Sequence, residues 1–170
     1  MIWTIYSVAV SGGSKIGVMA RPRGGDWLGD EIRSIREQGF SVLVSLLTNA
    51  EQRELELEVE GALCGELDLV FVRLPIEDMR VPSLDEQTID TLAKLREFRS
   101  GGSSIAVHCR AGIGRSPMIA ACIMLSRSCN VTSAFHQLSA ARGIKVPETP
   151  EQREWAVAYE KLLLAPQKLS

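Results

Sequence analysis

Aromatic residues are scarce in this chain, at 5% of positions, and histidine occurs only as His108 and His136. The four cysteines, Cys64, Cys109, Cys122 and Cys129, include no Cys-x-x-Cys pair, and no His-x-x-x-His spacing accompanies them. The usual ligand patterns of a structural zinc site are therefore missing, and neither a metal nor any other cofactor is expected. A surplus of positive charge is missing too. The formal net charge is −2, which argues against the broad basic field of a nucleic-acid binder. Long apolar runs are also lacking: the longest, around Met118 to Leu125, falls far short of a bilayer span. The first residues hold no basic region followed by a continuous apolar segment. These absences lead to the expectation of a cytoplasmic protein with no membrane partner and no nucleic-acid partner.

What is present is ordinary globular material, with 45% hydrophobic and 24% charged residues, enough of the first to build a core. No internal repeat, low-complexity tract or linker divides it, so residues 1–170 read as one domain, with a monomer as the default. The β-rich runs Trp3–Val10 and Lys15–Ala20 flank Ser11-Gly12-Gly13-Ser14, the pattern of a hairpin. Apolar residues Leu28, Ile32 and Ile35 then fall at helical spacing up to Gly39. Phe40–Leu47 has the look of a buried parallel strand. A helix capped by Asn49, with Gln52 three residues on, is expected to continue to about Leu63.

Leu69–Ile76 is the next strand, broken by Pro75, and Ser83–Glu86 reads as a capping box opening a helix that ends before Gly101-Gly102. The strand Ser104–His108 follows, then helices over Pro117–Leu125 and about Thr132–Arg142. A last helix has Thr149 as cap, Pro150 at its first position and Gln152 completing a capping box. Strands alternating with helices predict an α/β fold, a three-layer sandwich with a mostly parallel central sheet flanked by helices.

The stretch with most chemistry is His108-Cys109-Arg110-Ala111-Gly112-Ile113-Gly114-Arg115-Ser116, which joins the Ser104–His108 strand to the next helix. Open α/β sheets bind ligands at the carboxyl ends of their strands, where Cys109 is expected. A tight loop containing Gly112 and Gly114 can turn its backbone N–H groups inward as an anion nest, reinforced by the helix N-terminus. A cysteine in that field is a candidate nucleophile. The planar guanidinium of Arg115 suits two oxygens of a phosphoryl group. The plain alternative is a glycine-rich turn with a buried thiol.

These residues resemble the H-C-x5-R-S/T signature of the cysteine-dependent protein phosphatases, in particular the small dual-specificity branch. Two flanking stretches extend the likeness: "LPIEDMRVPS" resembles the general-acid loop, and "RGIKVPETPEQREW" resembles the closing segment of kinase-associated phosphatases. The resemblance implies that Cys109 attacks phosphorus to give a cysteinyl-phosphate. The loop amides of Arg110, Ala111, Gly112, Ile113 and Gly114, with Arg115, would bind the phosphate oxygens. Asp78 would be the general acid, with Glu77 the adjacent alternative and Asp85 a poorer one, since it falls in a capping box.

Ser116 would help the sulfur leave, or else cap the following helix. His108 would tune the loop and its thiolate, or else be a satisfied core histidine. For Gln152, a water-ordering role competes with its capping box. Cys64 is a candidate resolving partner for Cys109, whereas Cys122 and Cys129 read as core or helix-end residues and His136 as structural or exposed.

The expected substrate is a phosphorylated protein, with phosphotyrosine first and phosphoserine or phosphothreonine accepted if the pocket is shallow. Ala111 and Ile113 stand where relatives acting on inositol lipids often place lysines. A non-catalytic phosphoprotein-binding module, and a phosphatase of phosphoinositides or RNA 5′-phosphates, are the alternatives. A sulfur-transfer enzyme of the rhodanese type ranks below them.

Overall fold

The structure is a computed structural model and describes residues 4–166. Strands β1 (Tyr6–Ala9) and β2 (Lys15–Ala20) form the predicted hairpin, closed by a bond from the Val10 N–H to the Ser14 carbonyl. Trp3, placed in this first strand by the sequence, lies outside the described residues. A turn of 3₁₀ helix at Gly25–Trp27 leads into α1 (Leu28–Glu37), which buries Leu28, Ile32 and Ile35 along one stripe. Next come β3 (Val42–Ser45), α2 (Asn49–Glu54), α3 (Glu60–Glu66) and β4 (Val70–Arg73). The chain closes with α4 (Glu86–Ser100), β5 (Ile105–Cys109), α5 (Arg115–Met124), α6 (Val131–Arg142) and α7 (Pro150–Leu164).

The sheet order is β1-β2-β5-β3-β4, with β1 antiparallel and the rest parallel. Strands β3 and β5 are buried along their whole length, as central strands covered on both faces must be. Their side chains alternate between two apolar layers. Ile105, Val107 and Cys109 face α4, α5, α6 and α7, while Ala106 faces the layer of α1 and α3. Helix α5 is buried from end to end, which explains its continuous apolar sequence.

Three expectations need correction. The helix foreseen from Asn49 to Leu63 is two helices. Glu56 adopts φ +55°, and its carbonyl accepts from the Gly25 N–H at 3.1 Å, so this turn is shaped by a packing partner far away in sequence. The cap of α2 is Thr48 rather than Asn49. Its hydroxyl accepts from the Glu51 N–H, and the Glu51 carboxylate accepts in return from the Thr48 N–H. The cap of α4 is Asp85 rather than Ser83, with the carboxylate accepting from the Thr88 N–H at 2.9 Å. At α7 the Thr149–Gln152 box and Pro150 stand as expected.

Candidate active site

The loop from Cys109 to Arg115 runs from the carboxyl end of β5 to the N-terminus of α5, at the centre of the sheet's carboxyl edge. Its curvature depends on Gly112. The residue has φ +74°, and a Cβ there would stand 2.6 Å from the Met19 backbone on β2, so only glycine fits. Gly114 is confined as well, with Glu148 and Gln152 within about 3 Å of where its Cβ would stand. The carbonyls are held outward: that of Arg110 accepts from the Arg21 N–H at 3.2 Å, and that of Ala111 from Arg142 Nη2 at 3.5 Å. The Gly112 N–H donates to Cys109 Sγ at 3.3 Å. Gly114, at the cap position of α5, offers no side-chain acceptor, so the first N–H groups of that helix are left for an anion.

Arg115 is 1% exposed and fixed by four bonds. Nη1 donates to Glu51 Oε2 at 2.8 Å and to the Ile76 carbonyl at 2.7 Å, and Nη2 donates to Glu51 Oε1 at 2.9 Å and to Asp78 Oδ1 at 3.0 Å. Burial alone would raise the Glu51 carboxyl, but the bonds from Arg115 and Thr48 outweigh it and hold the group down to about 2. Burial likewise works against the Arg115 charge, and Glu51, Cys109 and Asp78 reverse that effect, so its pKa is raised. The guanidinium is thus a permanent, preset cation beside Cys109.

Asp78 sits on the turn after β4. Its side chain is 58% exposed, and its carboxylate also accepts from the Met79 N–H at 3.1 Å. Met79 takes φ +61° at this turn. Glu77 is exposed and makes no such bond to Arg115. Thr48, Ala50, Glu51, Glu77, Asp78 and Arg110 line a shallow groove of about 420 Å³ beside the loop. Arg110 itself pairs with Glu54 at 2.8 Å.

The structure therefore brings Cys109, Arg110, Ala111, Gly112, Ile113, Gly114, Arg115 and Asp78 together. Ser116 is fully buried just inside α5, and its hydroxyl has no partner among the described residues. It does not cap the helix, because Gly114 holds that position. Gln152 is buried against Gly114. Its Oε1 completes the α7 capping box while Nε2 has no partner among the described residues.

His108 is the exception to the expected grouping. Alternation along β5 turns its ring to the opposite face from Cys109, where Nε2 meets Glu60 Oε1 at 2.7 Å. It lies against α3 and makes no bond to the loop. Cys64 also belongs to the α1/α3 layer, away from the cluster that contains Cys109, and burial pushes its thiol up to about 12. Both features count against a resolving role. Asp85 is occupied as the α4 cap, and His136 is exposed on α6.

Two residues of the neighbourhood escape sequence reasoning. Glu51 had a usable signal, the Thr48-x-x-Glu51 capping box one residue before the frame read from Asn49. Glu60 had none, being one acid among several in an alternating acidic and apolar run.

A three-layer α/β sandwich with a cysteine and an arginine at the two ends of one anion-binding loop defines a phosphate-handling protein. Residues 17–128 match the family described as "Polymorphic toxin system, DSP-PTPase phosphatase", and the chain belongs to that family. It is accordingly a cysteine-dependent phosphatase, a hydrolase of phosphoric monoesters. No curated protein matches the sequence.

Solved structures share the fold at low identity. Kinase associated phosphatase, carrying serine for its catalytic-site cysteine, aligns with TM-score 0.81 and 18% identity over 98% of both chains. Tk-PTP in its active form aligns with TM-score 0.66 and 24% identity over 94% of this chain and 97% of its own. PTPMT1 in complex with PI(5)P gives TM-score 0.70 and 17% identity over 96% and 97%.

Proposed function

We propose that the protein removes phosphate from phosphotyrosine in proteins, accepting phosphoserine or phosphothreonine as well, through a cysteinyl-phosphate intermediate. The observation that carries this reading is the Gly112 N–H of the loop donating to the buried Cys109 Sγ, with the buried Arg115 guanidinium fixed at the other end of the same loop. The Cys109 sulfur attacks phosphorus, an S–P bond forms, and the ester P–O bond breaks. The loop amides and Arg115 hold the three non-bridging oxygens as charge spreads over them. Asp78 is the only one of the Arg115 partners that is largely exposed. A phosphate takes its place on Nη2, and the released Asp78 carboxylate, exposed to solvent, takes up a proton there and then turns to protonate the departing oxygen. In the second step water attacks phosphorus, giving its proton to Asp78, and the sulfur leaves. The buried Ser116 hydroxyl donates to it.

The groove beside the loop supports a protein substrate. Glu51, Glu77 and Asp78 line it, of which Glu77 makes no bond to Arg115, and the one cation among the described residues lining it, Arg110, is paired with Glu54. Four free thiols suit a reducing cytoplasm, and the reading is of a monomer acting there on phosphoproteins. The likeness to PTPMT1 bound to PI(5)P makes a phosphoinositide the second reading.

The test is phosphate release from matched phosphotyrosine and phosphothreonine peptides in the presence of chelator. Wild type is expected to release phosphate, Cys109→Ser to release none, and Asp78→Ala to lose about 10²-fold in kcat. Retained turnover in Cys109→Ser would overturn the mechanism. Binding of both peptides without release by wild type would make the domain a phosphoprotein-binding module.

A further inference from the structure

At the opposite end of α5 from Arg115 lies a cavity of about 570 Å³ that takes no part in the reaction. The ten residues of α5 set it about 15 Å from the loop. Its walls come from α4, from the turn between α5 and α6, and from the last turn of α7. Leu125, Leu163 and Leu164 supply its apolar lining, and Leu163 and Leu164 are exposed. Arg96, Arg127, Ser128 and Ser133 supply most of its polar lining. The volume falls within the range of about 300 to 1,000 Å³ usual for small-molecule sites.

The charges here do not balance, although the molecule as a whole is negative. Neither Arg96 nor Arg127 makes an ion pair among the described residues. Arg96 Nε and the hydroxyl of Tyr159, a residue buried beside it, are both enclosed without partners. A third cation, Arg99, has its pKa lowered by burial and then by the like charge of Arg96. Arg99 is already occupied, donating to the Ile123 and Leu125 carbonyls at the end of α5 at 2.9 and 2.8 Å. Glu160 is the one carboxylate lining the cavity among the described residues, and it accepts from the Val131 N–H at 2.7 Å. The start of α6 is closed as well, since Asn130 Oδ1 accepts from the Ser133 N–H at 2.8 Å. What is left over is two guanidinium groups beside apolar surface, and a partly buried cation without a counter-charge is costly.

We propose that this cavity is a second ligand site, separate from the active site, for a small amphipathic anion with a phosphate-type head group and a short apolar tail. Two unpaired guanidiniums match the two negative charges of such a head group, and Arg96 and Arg127 hold its oxygens. The tail lies against Leu125, Leu163 and Leu164, covering apolar surface that otherwise faces water.

Cys129 lines the cavity and is partly exposed, so its reactivity reports occupancy. The probe is octylphosphonate, kept below its micellar range, which has no ester bond to hydrolyse. It should slow alkylation of Cys129 by iodoacetamide, mapped by mass, at least about fivefold in wild type. Inorganic phosphate at the same concentration should leave the rate nearly unchanged. Arg96→Gln should remove most of the protection, and so should Arg127→Gln, whose exposed position leaves folding intact. An unprotected Cys129 in wild type, or protection that survives in both arginine variants, would overturn the proposal. Equal protection by inorganic phosphate would overturn it too, because the leucines would then play no part. The readout needs no turnover and Cys109 is followed separately, so absence of phosphate release by wild type sinks the phosphatase reading alone.

Discussion

Arg115 and Glu51 work as one unit. A guanidinium 1% exposed would be costly on its own, and one held by a two-point carboxylate pair is both neutralised and aimed. Replacing Glu51 by Gln should cost about 3 kcal/mol of stability at neutral pH, because a buried charge loses its partner. It should also lower phosphate release by loosening the arginine. The pH dependence has a fixed sign. The Glu51 carboxyl is held at about 2 against an ordinary 4.5, so its contribution is complete above 4.5 and is lost as pH falls towards 2. Denaturant unfolding between about pH 2 and pH 4.5 should therefore be steeply pH-dependent in wild type and flatter in Glu51→Gln. Equal slopes would mean that the pair is not formed in solution.

At the level of elements, local chemistry fixed the helix ends more finely than the sequence reading resolved. At α4, Ser83 and Asp85 both offer an acceptor within a few residues of the first turn, and only the side-chain geometry distinguishes them. The Asp85 carboxylate accepts from the Thr88 N–H, and this bond lowers its pKa. Asp85→Ala should lower the denaturant midpoint, and Ser83→Ala should leave it unchanged. The reverse ranking would return the cap to Ser83.

The break between α2 and α3 is of another kind. Residues 55–59 contain neither glycine nor proline, and the turn at Glu56 is set by a bond from Gly25, so no window around it could have disclosed the interruption. Signals carried by neighbours, such as the Thr149–Gln152 box or the Cys109–Arg115 loop, were legible. Glu51 and Glu60 meet their partners 64 and 48 residues away, and that distance hid them.

The layering of the whole molecule was legible for the same reason: a run of alternating strands and helices with two largely apolar strands has few arrangements other than a covered parallel sheet. What the layers add is the sorting of consecutive residues to opposite faces, which sends Cys109 to the loop side and His108 to Glu60. They also set the field around the mouth. The molecule carries a net charge of −2, and exposed Glu77 and Asp78 line the groove beside the loop that begins at Cys109. An anionic bilayer presenting a phosphoinositide meets like charge over this rim, whereas a peptide segment with basic or neutral flanks does not. The expected outcome is a kcat/KM at least about tenfold higher for a phosphotyrosine peptide than for PI(5)P in anionic vesicles. Raising the salt should narrow the gap by screening the repulsion. Faster turnover of the vesicle-borne lipid at low salt would place the substrate among the phosphoinositides and leave the loop, Arg115 and Asp78 in the same roles.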